Sequence, residues 1–207
     1  MNDTTTDLQP PRLVLDEESQ GLLFTNARTA NTFSDEPVDD EQLAAIYDLV
    51  KWAPTSANTQ PLRILFIRSP EAKERLIAHL SEGNRDKARS APVVAVLAAD
   101  ASFHEHLDRL FPHRPGMRDY FAADDDLRER QAKFNATLQA GYFLLGVRAM
   151  GLAAGPMGGF DAEGVDREFF ADGTWRSILV VNIGKPGPDA WRDRLPRLDY
   201  DEAVRLA

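Results

Sequence analysis

Cysteine is absent from the 207 residues. That removes disulfides, thiolate nucleophiles, zinc–thiolate centres and iron–sulfur clusters at once, and it fits a reducing compartment. Basic charge is scarce: 24 Lys and Arg against 33 Asp and Glu leave a net charge of −9, the wrong sign for a surface that neutralises nucleic-acid phosphates. Long apolar runs are missing too. The longest stretch without a charged side chain is the 14 residues 134–147, short of the roughly 18–20 that a membrane span needs. The first 15 residues hold Asp3, Asp7 and a Pro10-Pro11 pair, with no basic head or apolar run. No signal peptide is visible, and a cytoplasmic location is the expectation.

The common chemical fingerprints are absent as well. No G-x-G-x-x-G follows a predicted strand, and there is no P-loop, G-x-S-x-G or H-E-x-x-H motif. His104-Glu105-His106 puts its imidazoles at i and i+2, which face different ways on a helix and do not converge on an ion. The Asp124-Asp125-Asp126 run reads as an exposed acidic loop. No metal is expected, and difficult chemistry would fall to an organic cofactor.

A content of 43% hydrophobic and 28% charged residues is that of a globular protein, and the length predicts one domain. Residues 1–16 are polar and read as a flexible lead-in, with a single domain over 17–207. Helical patterns begin at Glu17 and, behind an Asp39/Gln42 capping box, run through Leu43, Ile46, Tyr47 and Val50. Ser69-Pro70-Glu71 opens another, residues 127–150 form a long one, and Asp161 and Asp199 each cap a short one. Apolar, β-branched runs at 62–67, 92–99 and 177–183 predict three strands. Strands separated by helices imply crossover connections and a layered α/β or α+β arrangement.

Four segments carry polar groups and glycines that packing does not require: Arg28-Thr29-Ala30-Asn31, residues 54–61 (PTSANTQP), residues 155–160 (GPMGGF) and residues 192–197 (RDRLPR). By residue type alone, two roles stand open for each. Arg28 either offsets a helix dipole or grips a phosphate through forked hydrogen bonds. Residues 54–61 are an ordinary helix-ending loop or the amide edge of a heterocycle site. The glycines make a tight turn or let backbone approach a flat ring. The late arginines are a solvated patch or part of a phosphate clamp.

These segments, with LFTNARTANTF, KWAPTSANTQPLRI, SEGNRDK, GPMGGFD, VNIGKPG and RLPRLDYDEA, resemble the flavin-dependent nitroreductase family from about Leu22 to the C-terminus. Within it, A-R-T-x-N, W-x-P-T-S-A-N and G-P-M-x-G-F-D look most like the branch that reduces malonic semialdehyde in pyrimidine degradation. The resemblance implies an α+β three-layer sandwich, a central mixed sheet flanked by helices, and a homodimer that exchanges its C-terminal segments. It implies two interfacial FMN sites, each built from both chains, with NADPH or NADH as hydride donor. Arg28, Thr29 and Arg194, with Arg192 beside them, would hold the phosphate. Asn31 would face the pyrimidine side, and Asn84 its edge. Gly158 and Gly159 would bring backbone amides to N5 and O4, and Pro54, Thr55 and Ser56 would line the ring from the partner, with Asn58 fixing their loop.

The implied reaction passes hydride through flavin N5 to the aldehyde carbon of malonic semialdehyde, giving 3-hydroxypropionate. Arg114 and Arg118, on a Pro/Gly-broken stretch, are candidates for the substrate carboxylate. Two departures from the family pattern bear on activity. Asn31 stands where many members carry a cation that stabilises reduced flavin, and Gly158 where many carry a carboxylate. Alternatives are broad nitroaromatic or quinone reduction, a flavin-binding protein without turnover, and a cofactor-free interaction module.

Overall fold

The computed structural model describes residues 13–171 and 173–207. Most of the expected lead-in lies outside the described residues; Leu13 to Asp16 are exposed. The helices are α1 (Glu17–Gln20), α2 (Asp40–Val50), α3 (Pro70–Ala78), α4 (Glu82–Ser90), α5 (Leu107–Leu110), α6 (Met117–Ala122), α7 (Asp125–Ala149), α8 (Ala162–Phe169) and α9 (Tyr200–Ala203). The strands are β1 (Leu62–Ile67), β2 (Val93–Asp100), β3 (Ala153–Met157) and β4 (Trp175–Gly184), in the order β1-β2-β4-β3. No helix among the described residues is long and apolar enough to cross a membrane.

All eight residues of β2 are buried, and their alternation divides the core in two. Val93, Ala95, Leu97 and Ala99 face α2 and α7, where they join Ile46, Val50, Phe143 and Val147. Val94, Val96 and Ala98 face the other way, among Leu76, Ile77, Ala88 and Val165 from α3, α4 and α8. A strand buried on both sides needs a helical layer on each, and that produces the expected three-layer sandwich.

The sheet is antiparallel throughout rather than mixed. For β1 and β2 the reason is α4, which the strand-by-strand reading passes over because EGNRDKARS is almost wholly polar. Two helices, not one, link β1 to β2. Register sets Ile67 beside Val94, so the chain returns to the end of the sheet that it left. The fourth strand, β3, is the second difference. Its Gly155-Pro156 reads as turn chemistry, but β3 lies at the edge of the sheet, where a proline costs no ladder partner on its open side. The helix expected over 17–27 is present over residues 17–25, changing at Gly21 from α- to π-helix, so that the Asn26 N–H reaches Gly21 O at 2.9 Å.

Caps set the helix starts. The Asp39 carboxylate accepts from Gln42 N at 2.7 Å while Gln42 Oε1 accepts from Asp39 N, a reciprocal capping box. Ser69, Asp124 and Asp161 likewise accept from backbone N–H groups three residues on.

Two apolar surfaces are left uncovered in the single chain. Phe134, Leu138 and Tyr142 form one exposed stripe of α7 at i, i+4 and i+8, and Trp52 is 78% exposed. From Trp191 to Ala207 every residue is exposed, Leu195, Leu198 and Leu206 among them.

Helix α7 approaches α2 through Gly146, where an added Cβ would lie 3.2 Å from Val50 Cγ2 and 3.4 Å from Ile46 O. Gly146→Val is expected to destabilise the protein by about 1–3 kcal/mol through overpacking, read as a lower urea midpoint at unchanged m-value.

Candidate functional site

The segment Arg28 to Ser34 runs beside residues 185–192 and is laced to them. Asn31 N donates to Ala190 O at 3.0 Å, Gly187 N to Thr32 O at 3.1 Å, and Ser34 N to Lys185 O at 3.0 Å. Ala30 N reaches Ala154 O on β3 at 3.1 Å. A Cβ at Gly155 would sit 2.7 Å from Ala30 O, so only glycine permits this approach.

The arginines gather here. Arg28 Nη1 donates to Arg192 O at 3.0 Å, and Arg194 Nη2 donates to Thr25 O at 2.6 Å and Ala27 O at 3.2 Å. Among the described residues, none of Arg28, Arg192 and Arg194 pairs with a carboxylate. Arg28 and Thr29 are exposed, and Arg28 and Arg194 line a shallow hollow with Thr25, Asn26 and Trp191. The Asn31 amide donates to Thr29 O and Ala190 O, both at 3.3 Å.

At the other end of β3 lies the glycine turn. A Cβ on Gly158 would meet nothing within 4 Å, so bare backbone faces open space there. Gly159 is packed: its carbonyl accepts from Ser81 N at 3.0 Å and from Asn84 Nδ2 at 3.1 Å. Asn84 thus braces the turn. From Ala154 to Gly158 a strand advances roughly 13 Å at about 3.3 Å per residue, so a ligand touching both the arginines and the glycines is elongated.

The loop at residues 54–60 stands apart. It borders a cleft of about 870 Å³ lined by Trp52, Pro54, Thr55, Asn58, Gln60, Arg109 and Trp175 among others, and no lining residue is shared with the hollow at Arg28. The chain therefore brings Arg28, Thr29, Asn31, Arg192 and Arg194 together, and Gly158 with Gly159 and Asn84. It does not bring Pro54, Thr55, Ser56 and Asn58 to either group. Arg114 and Arg118 are exposed and do not line this cleft; Arg63 and Arg109 do.

Backbone strain marks the loop. Ala57, Asn58 and Gln60 have φ of 50°, 49° and 46°, the left-handed region that costs non-glycine residues about 1–3 kcal/mol each. Side chains from α7 hold it. Buried Asn135 accepts from Ser56 N at 2.8 Å, and buried Gln139 accepts from Leu62 N at 3.0 Å while donating to Gln60 Oε1 at 2.8 Å. Gln60 in turn donates to Asn58 Oδ1, and Asn58 Nδ2 to Leu110 O. Asn135 and Gln139 are absent from the sequence reading. Their signal was two amides at i, i+4 on the face that otherwise presents Ala132, Ala136 and Phe143 to the core.

His104 is partly buried, and its pKa is lowered by burial first and by Arg128 second. Among the described residues, no group of three or more His, Asp or Glu side chains is placed to hold a metal ion.

The nitroreductase family profile matches residues 25–185, which spans the arginine segment, the 54–60 loop and the glycine turn. The chain belongs to the nitroreductase family. A Streptomyces coelicolor protein that carries the provisional name NADH dehydrogenase/NAD(P)H nitroreductase is 60% identical to this member over 192 residues, 93% of this chain and 97% of that one. Among solved structures, a Bacillus subtilis nitroreductase superposes with a TM-score of 0.80 at 24% identity, covering 92% of this chain and 99% of that one. An Exiguobacterium sibiricum nitroreductase, solved in complex with FMN, gives 0.79 at 19% identity, covering 95% and 99%. These structural likenesses establish the nitroreductase fold.

Gln139→Leu is expected to cost about 1–3 kcal/mol, because the buried Leu62 N–H loses its acceptor. Urea unfolding measures the loss, and faster proteolysis within residues 54–60 would locate it.

Proposed function

We propose that the chain is an FMN-dependent NAD(P)H oxidoreductase: a homodimer in which residues 17–207 form one flavin-binding unit and the segment after Trp191 exchanges between copies. One observation carries this reading. Among the described residues, Arg28 and Arg194 bond only backbone carbonyls at one end of β3, and open glycine backbone lies at the other. That donor set fits an elongated molecule with a phosphate tail and a flat head. The guanidiniums keep N–H groups free for phosphate oxygens, with the Thr29 hydroxyl beside them. Gly158 lets a ring lie against backbone, and Asn84 and Ser81 fix the turn that presents it.

The dimer follows from what one chain leaves unfinished. The 54–60 loop borders a separate cleft, and the Phe134, Leu138, Tyr142 stripe and the tail beyond Trp191 are exposed. A second copy covers such apolar surface and delivers its loop to the other chain's arginines and glycines.

Bound FMN supplies the redox chemistry that these side chains lack, taking hydride from NAD(P)H and returning it to a substrate. We assign malonic semialdehyde as that substrate, in uracil degradation. In the net reaction its carbonyl carbon gains a hydride and its oxygen a proton, giving 3-hydroxypropionate. Support comes from the A-R-T-x-N, W-x-P-T-S-A-N and G-P-M-x-G-F-D motifs and from the charge of the cleft. Its cations are Lys51, Arg63 and Arg109, with no carboxylate among the lining residues. Asp48 neutralises Lys51 and Asp100 neutralises Arg63, each at 2.6 Å, which leaves Arg109 to orient a carboxylate. A second reading, reduction of nitroaromatics or quinones, is favoured by the name of the Streptomyces relative. Asn31 favours a third, a flavin carrier without turnover, because a neutral amide there gives reduced flavin no cation.

The purified protein is expected to be yellow, to release near-stoichiometric FMN on denaturation and to bleach anaerobically with NADPH or NADH. Faster turnover of malonic semialdehyde than of a nitroaromatic or a quinone supports the assignment; the reverse order selects the second reading. A yellow protein that does not bleach is a carrier, and a colourless one that refuses FMN sinks the proposal. Arg109→Gln should raise KM for malonic semialdehyde about 10- to 100-fold, the worth of one charged hydrogen bond, with little change for a quinone. Ala at Arg114 or Arg118 should leave both constants near wild type.

A further inference from the structure

We propose that Arg148 is a third cation at the phosphate end of the flavin site, binding the phosphate directly alongside Arg28 and Arg194; this rests on the FMN reading above. Arg148 lies in the last turn of α7 and is partly buried. Its Nη1 donates to Leu23 O at 3.2 Å, in the π-turn that follows α1. Its Nε is sealed from solvent and has no acceptor among the described residues. Among the described residues, no carboxylate lies within ion-pair distance. Burial lowers its pKa. A half-desolvated cation without a counter-charge is costly unless an anion reaches the exposed end of its guanidinium.

The surroundings supply a place for one. Arg148 lines a hollow of about 210 Å³ with Asn26, Arg28, Ala154 and Trp191. The neighbouring hollow, lined by Thr25, Asn26, Arg28, Trp191 and Arg194, shares Asn26, Arg28 and Trp191 with it. Arg28 lines both hollows, Arg148 one and Arg194 the other, and among the described residues all three lack a carboxylate in a chain whose net charge is −9. A phosphate monoester is the matching ligand: it carries close to two negative charges and has three terminal oxygens for forked donors.

Two structural roles compete. Arg148 offsets the dipole at the C-terminal end of α7, and it ties the π-turn to that helix. Neither depends on whether the bound flavin carries a phosphate. The test is therefore the affinity of the full-length protein, freed of flavin by dialysis, for FMN and for riboflavin, read by flavin fluorescence. Arg148→Gln should weaken FMN about 10- to 100-fold, as expected for losing a charged hydrogen bond, while riboflavin affinity stays within about twofold. Arg148→Lys should recover part of the loss. Equal weakening of both flavins, or of neither, overturns the proposal. Arg28→Gln separates this failure from that of the parent reading: if it too leaves the FMN-to-riboflavin ratio unchanged, the phosphate site itself is misplaced. If it alone lowers the ratio, the site stands and Arg148 is only a brace.

Discussion

Water reaches neither face of β2, and most of the architecture follows from covering that strand twice. VVAVLAAD has no polar side until Asp100, so helices pack on both faces and the functional groups are pushed to the margins of the sheet. Asp100 itself shows the cost of ending such a strand. Its buried carboxylate takes Arg63 at 2.6 Å and Ser102 N at 2.8 Å, which pins β1 to the end of β2 beside the cleft. The long helix α7 does two jobs at once. One face supplies Phe143 and Val147 to the core, and the same face carries the amides that hold the strained loop.

That loop shows how a stable interior supports an unfavourable conformation. Three left-handed residues in a span of four would relax in an isolated peptide. Here Asn135 and Gln139 take backbone N–H groups that would otherwise be buried without partners, so relaxation breaks buried hydrogen bonds as well as relieving strain. The arginine cluster has the opposite character. Arg28 and Arg194 are held by backbone carbonyls, which fix direction without neutralising charge. In one region buried side-chain amides take up the strained backbone; in the other, guanidiniums are held in place with their charge unspent.

The sequence announced what local rules govern. Capping boxes, a proline after Ser69 and Val-rich runs located α2, α3, β1, β2 and β4 closely, because each rests on neighbours within a few residues. It was silent where distant partners decide. Helix α4 has almost no apolar face, and its helicity is settled by packing against α3 and by Ala88 in the core. Strand β3 contains Gly-Pro, turn chemistry in isolation, and becomes a strand because β4 is there to pair with it. The antiparallel pairing of β1 with β2 follows from α4 and was hidden with it. Motif resemblance singled out Arg28, Arg194 and the glycines, which the fold gathers at the two ends of β3. The α7 amides Asn135 and Gln139 escaped because nothing nearby in the chain sets them apart; only burial does.

Three consecutive residues of β3 close its outer edge by three different means. The Ala154 carbonyl is taken by Ala30 N, Gly155 is pressed against Ala30 O, and Pro156 has no N–H to offer. An unpaired strand edge is a template on which other chains polymerise, and this one is sealed by the segment that carries Arg28. The segment that gathers the arginines therefore doubles as protection against aggregation. It also leaves β1 as the edge of the sheet from which another strand could extend it.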